Sequence, residues 1–157
     1  MHKRQISPTP PGAAPSGQAW LGVDRAAFVE VTSEENGYPI EFALLGLEDR
    51  GWRAANSGTQ TIRLIFDEPQ KLRRIRLVFE ESENTRTQEF VLRWSPDAGH
   101  SFREIVRQQW NFSSPGSIRE IEDYAVELTD VTVLELIIVP DQSGGAARAS
   151  LASLRLA

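Results

Sequence analysis

From residue 20 onward, apolar and polar residues alternate along this chain with a period of two. The clearest case is residues 86–103, where Phe90, Leu92 and Trp94 alternate with Glu89, Val91 and Arg93. That spacing puts one set on each face of a strand. Ser95-Pro96-Asp97-Ala98-Gly99 then reverses the chain: the proline presets φ, and the glycine is available for a left-handed position. Phe102, Ile105 and Val106 resume the apolar pattern in a second strand running to Phe112. The stretch reads as a hairpin.

The same period predicts strands over residues 28–32, 61–66, 72–80, 124–128, 131–139 and 149–156. In residues 72–80, Ile75, Leu77 and Phe79 point inward while Arg74, Arg76 and Val78 point outward. Polar breakers separate the strands: Asn36-Gly37 with Pro39, Asn56-Ser57-Gly58, Asp67-Glu68-Pro69-Gln70, Thr129-Asp130, and residues 140–145. Residues 40–47 are apolar but short, fitting one helical turn or a buried crossing segment. About eight strands with short turns and no long helical period predict an all-β fold, an antiparallel two-sheet β-sandwich or jelly roll. A closed barrel is the alternative. The sandwich is preferred because residues 131–139 are nearly apolar on both faces, as in a covered central strand.

Composition narrows the function classes. The 157 residues suit one domain. Pro8, Pro10, Pro11 and Pro15 among small residues mark residues 1–18 as a flexible proline-rich tail, leaving residues 19–157 as the domain. The absence of cysteine excludes disulfides, a thiol nucleophile and thiolate metal sites. With His2 and His100 the whole histidine complement, a histidine metal site is not expected. A net charge of −5 argues against nucleic-acid partners. The chain has neither a membrane-length apolar run nor the apolar segment of a secretory signal, so a cytoplasmic location is expected. No hydrolase, zincin or nucleotide-loop motif is present, and no acidic pair stands out, so the expected protein is not an enzyme. His100 reads as an exposed turn residue.

If consecutive strands run up and down, alternate connections share an end. The short turns at 67–70, 96–99 and 129–130 then lie together, and the long loops at 80–86, 111–119 and 140–148 gather at the other end, where binding sites are usually built. The loop after Val31 is a candidate to join them. The candidate ligand-binding residues are Asn84, Arg86, Trp110, Asn111, Arg119, Asp141, Gln142 and Arg148, with Ser113 beside them. Arginine, asparagine and tryptophan suit a saccharide, which needs planar donors and an apolar face beneath its C–H groups. Trp110 is either that platform or the end of its strand; Trp52 and Trp94 read as core, and Trp20 as a cap on one end. The cluster Arg73, Arg74 and Arg76 reads as a solvated face, neutralised by Glu80, Glu81 and Glu89. Two partners stay open. One is a saccharide, with Trp110 exposed beside Arg or Asn. The other is a protein, with a flat patch including Val78 and Val91.

The order of features resembles the discoidin-like, or galactose-binding-like, β-sandwich superfamily, which includes coagulation-factor C domains, carbohydrate-binding modules and protein-interaction domains. The matching segments are Val31-Thr32-Ser33, Gly51-Trp52-Arg53-Ala54, the strand before Asp67-Glu68-Pro69, the turn Ser95-Pro96-Asp97-Ala98-Gly99 with Phe102, and the closing residues 151–156. The resemblance implies a non-catalytic module, with sugars bound by loops at one end. It also implies a calcium held by an Asp-Gly loop before the tryptophan and a Glu in the last strand. Here Leu45-Gly46 and Ser153 stand near those positions. Glu48 and Asp49 are the nearby substitutes, and no structural calcium or other cofactor is expected.

Overall fold

The computed structural model describes residues 20–46 and 50–157. Its elements follow in the order α1 (Val23–Ala26), β1 (Ala27–Val31), α2 (Ile40–Leu45), β2 (Trp52–Ser57), β3 (Gln60–Glu80), β4 (Arg86–Ser95), β5 (Arg103–Phe112), β6 (Arg119–Val139), β7 (Arg148–Leu151) and β8 (Ser153–Leu156). The proline-rich tail and the Glu48-Asp49 pair lie outside the described residues.

The two 21-residue strands, β3 and β6, organise the rest. They pair antiparallel from Gln60↔Ile138 to Glu80↔Arg119, and the register slips three times between Ile65 and Arg74. At that corner both strands leave one sheet and enter the other. One layer is β1, the first part of β3, the last part of β6, β4 and β5. The facing layer is the first part of β6, the last part of β3 and β8, with the β2–β7 pair beyond. The protein is thus an all-β antiparallel sandwich, as the pattern predicts.

The corners correct one detail. Residues 67–70 and 129–130 bend a continuing strand and do not reverse it. Pro69 falls in the unpaired stretch of β3, where its missing N–H costs no ladder bond. Asp130 takes φ 57, a left-handed conformation that aspartate tolerates better than most residues. Breaker residues signal a departure from a straight strand, and bending and reversal use the same residues.

The core is the set the alternation picks out. Ile62, Leu64, Ile75, Leu77, Phe79, Phe90, Leu92, Leu134 and Leu136 are all buried. Burying each such side chain stabilises the fold by about 2 kcal/mol. Phe79 and Phe90 stack across the two layers with centroids 5.2 Å apart. Trp52 is fully buried and donates its indole N–H to the Ser33 carbonyl at 3.0 Å. The Ser33 hydroxyl accepts from the Ala55 amide, so the segments around Ser33 and Trp52 lock each other in place.

Glu135 is the one charged residue in the nearly apolar residues 131–139. It lies in a transverse row, Glu30↔Arg63↔Glu135↔Arg93↔Glu104, on the outer face of the first layer. Its carboxylate, 1% exposed, accepts from Arg63 Nε at 2.7 Å and Arg93 Nε at 2.6 Å. On the outer face of the second layer, Arg74 pairs with Asp123 at 2.6 Å. The guanidiniums of Arg74 and Arg155 lie 4.8 and 5.9 Å from the Trp20 ring. The expected partners of the Arg73, Arg74 and Arg76 cluster are corrected: Arg74 takes Asp123 because β6 is its neighbour, and Glu80, Glu81 and Glu89 pair with Arg119, Arg86 and Arg107 instead. Trp20 packs on a sheet face and does not cap an end.

Candidate functional site

The long loops converge on one end of the sandwich. Glu81 N bonds Ile118 O, Gln142 N bonds Thr87 O, and Gly58 N bonds Ala147 O. The 96–99 turn lies at the opposite end beside the corner of β6, where Thr132 Oγ1 donates to Ser95 O and accepts from Ala98 N. The division of ends inferred from strand order therefore holds, and the loop after Val31 joins the long-loop end through Glu35.

Two adjoining hollows open there, sharing Ala147. The first is a groove of about 310 Å³ between β2, the loop holding Glu35, residues 80–84 and the 146–150 segment. Glu35, Arg53, Glu80, Glu81, Glu83 and Arg148 supply its charges, and Ser82, Asn84 and Ser150 its neutral polar groups. The second, of about 260 Å³, is lined by Gly58, Thr59, Pro140, Asp141, Gln142 and neighbouring glycines. A larger, open hollow of about 730 Å³ at the strand corner is lined by Lys71, Arg73, Ala125, Val126, Glu127 and Thr129. It sits away from the loops.

A single guanidinium ties this end together. Arg86 is buried, and its Nε donates to Glu81 Oε1 at 2.7 Å. Its Nη1 donates to Pro140 O at 2.8 Å and Gln88 Oε1 at 3.2 Å. Its plane lies 4.7 Å from the Phe112 ring. All three long loops thus start or end on Arg86. Burial pushes the Glu81 carboxyl up, but the Arg86 bond and the Glu83 and Asn84 amides outweigh it and hold Glu81 below the usual carboxylate range.

Behind this strut, Gln88 Nε2 donates to Glu120 Oε1 at 3.1 Å. Glu120 is fully buried. Burial and the neighbouring Glu122 push its carboxyl up to about 7, against the Gln88 bond and the Arg86 charge. Arg86 Nη2, Trp110 Nε1 and Glu120 Oε2 are buried without a partner among the described residues.

The structure sorts the sequence candidates. Asn84 and Arg148 line the groove, and Asp141 and Gln142 line the adjoining hollow. Arg86 is corrected from a ligand contact to an internal strut, because its side chain is 1% exposed. Trp110 is half-buried, packs on the core and encloses its indole nitrogen, and it lines neither the groove nor the adjoining hollow. Asn111 is exposed but engaged, accepting from Thr87 Oγ1 at 2.9 Å. Arg119 is exposed 3.4 Å from Glu80. Neither Asn111 nor Arg119 lines the groove or the adjoining hollow. Glu35, Arg53, Ser82, Glu83 and Ser150 complete the groove and were missed. Glu35 lies 113 residues before its partner Arg148, and only its place in a polar loop after a strand hinted at it. Val78 and Val91 are buried, so they form no flat apolar patch.

The Leu44 carbonyl accepts from Arg155 Nη1 at 3.4 Å, and that guanidinium also comes beside Gly46. A guanidinium thus stands at the end of α2.

No curated protein sequence matches the chain. Among solved structures, a family 32 carbohydrate-binding module from the Clostridium perfringens protein CpGH89, in complex with GalNAc-β-1,3-galactose, is 18% identical. Their TM-score is 0.62, over 88% of this chain and 99% of that one. The family 32 module of C. perfringens NanJ, in complex with galactose, is 15% identical with a TM-score of 0.62, over 87% of this chain and 96% of that one. XRCC1 bound to the DNA polymerase β catalytic domain is 13% identical with a TM-score of 0.60, over 85% of this chain and 95% of that one. These likenesses agree with the sandwich. The family model of the F5/8 type C domain matches residues 28–132, more than half of the chain. The chain therefore belongs to the F5/8 type C (discoidin-like) domain family.

Proposed function

We propose that the chain is a non-catalytic saccharide-binding module and that its site is the groove between Glu35, Arg53, residues 80–84 and Arg148. The observation that carries this reading is the groove itself. At about 310 Å³ it is of the order of known small-ligand sites, and it lies where the long loops meet. Its lining supplies the planar donors and acceptors that ring hydroxyls need. The complexes of the similar family 32 modules with galactose and GalNAc-β-1,3-galactose support the same class of ligand. A catalytic role is disfavoured because Glu35 is ion-paired and Glu81 is held ionised, while Glu120, the carboxyl raised toward neutrality, is sealed between the layers. Glycan-array screening followed by titration calorimetry tests the reading. Binding that weakens at least tenfold in Asn84→Ala or Arg148→Ala supports it. A folded protein that binds no glycan sinks it.

A protein partner is the second reading, favoured by Phe28, which stands 65% exposed on the edge strand β1. A complex isolated by pull-down and lost in Phe28→Asp, with no glycan binding, would establish it instead. In either case we expect no structural calcium requirement, so a chelator leaves the melting temperature unchanged.

A further inference from the structure

The ion pairs inside the groove bear on which saccharides it accepts, given the saccharide reading above. Arg53 Nη1 lies 3.5 Å from Glu35 Oε2, and Arg148 Nη1 lies 3.1 Å from Glu35 Oε1. The Arg53 guanidinium also stacks over the Tyr38 ring at 4.5 Å. Both cations that line the groove are therefore turned onto one carboxylate of the protein. The nearby Arg86 is buried behind Glu81, and Arg119 is held by Glu80 at 3.4 Å. What stays open are the side chains of Ser82, Glu83 and Asn84, which have no partner among the described residues.

A guanidinium recognises a carboxylate through its planar fork. Here each guanidinium sets its Nη1 on Glu35 and so is partly neutralised, and the one unpaired charge on the lining is the carboxylate of Glu83. Sugar hydroxyls can donate to Glu83 and exchange hydrogen bonds with Asn84 and Ser82. A sugar carboxylate would meet the like charge of Glu83 and two guanidiniums already offset by Glu35, on a lining whose four glutamates outnumber its two arginines.

We propose that the groove selects saccharides without a carboxylate, and that Glu35 is the specificity-determining residue because it withholds Arg53 and Arg148 from the ligand. Uncharged hexoses and their N-acetyl derivatives are accepted and uronates are rejected.

Calorimetry on the full chain, with galactose, glucose and mannose against galacturonate, glucuronate and mannuronate, tests this at low and at 0.5 M salt. At low salt the best neutral hexose should bind about tenfold tighter than its acid, and salt should narrow the gap by screening. Glu35→Gln frees both guanidiniums and should raise uronate affinity about tenfold. Glu83→Gln removes the unpaired charge without touching an ion pair, so it should narrow the gap even if Glu35→Gln folds poorly. A uronate that binds wild type as tightly as its neutral parent overturns the selectivity and leaves the saccharide reading standing. A gap unchanged in both variants overturns the assignment to these residues. If none of the six sugars binds, the saccharide reading fails, and this inference fails with it.

Discussion

Glu120 has no exposed surface and faces Gln88 and Arg86 from β4 and Glu122 from its own strand. Raising its carboxyl from 4.5 to about 7 costs the folded state about 3 kcal/mol once the group is ionised. The sign follows from proton uptake. Below pH 4.5 the carboxyl is protonated in both states and nothing is lost. Between pH 4.5 and 7 the unfolded chain releases the proton first, so stability falls as pH rises; above 7 the loss is complete. Glu81, Glu89, Asp123 and Asp141 are held below their ordinary range, so what they contribute is lost only toward more acid pH. The interval from pH 5 to 8 therefore isolates Glu120. Urea unfolding should show wild type more stable at pH 5 than at pH 8 by up to about 3 kcal/mol, and Glu120→Gln should remove most of that difference. Equal stability at both pH values, or a slope that survives in Glu120→Gln, would refute the coupling.

Arg86→Met leaves Glu81 and Glu120 without their cation and should cost about 3 kcal/mol in denaturant unfolding. It should also speed hydrogen exchange at the Asn84 and Gln142 amides more than at Gly99. Glu135→Ala leaves Arg63 and Arg93 facing each other across β6 and should lower stability by about 2 kcal/mol, measured by thermal melting. Gly51→Ala should destabilise by about 2 kcal/mol: the position has φ 66, and a Cβ would lie 2.5 Å from the Leu151 carbonyl oxygen. Wild-type stability in Gly51→Ala would mean that β2 and β7 separate there without cost.

The core was legible because alternation is a local property. Ile75, Leu77, Phe79, Phe90 and Leu92 face inward as their spacing requires, and the sorting of loops between ends follows from strand order alone. The site was only half legible. Asn84 and Arg148 could be named because long loops gather polar residues. Arg86 and Trp110 have the same chemistry, but burial is decided by what packs above a residue, here Phe112, Pro140 and the core.

Sequence by itself determined the all-β sandwich, the inward face of each strand and the end that carries the long loops, because period, breakers and chain order are written residue by residue. Tertiary structure decided the rest. It made corners of residues 67–70 and 129–130, set Glu135 between two arginines, and gave the groove its walls from Glu35, Arg53 and Arg148. The physical reason is distance along the chain. Charges separated by scores of residues acquire partners only when strands from both layers arrive at the same end, and a guanidinium's role depends on whether that partner is solvent, a ligand or another side chain.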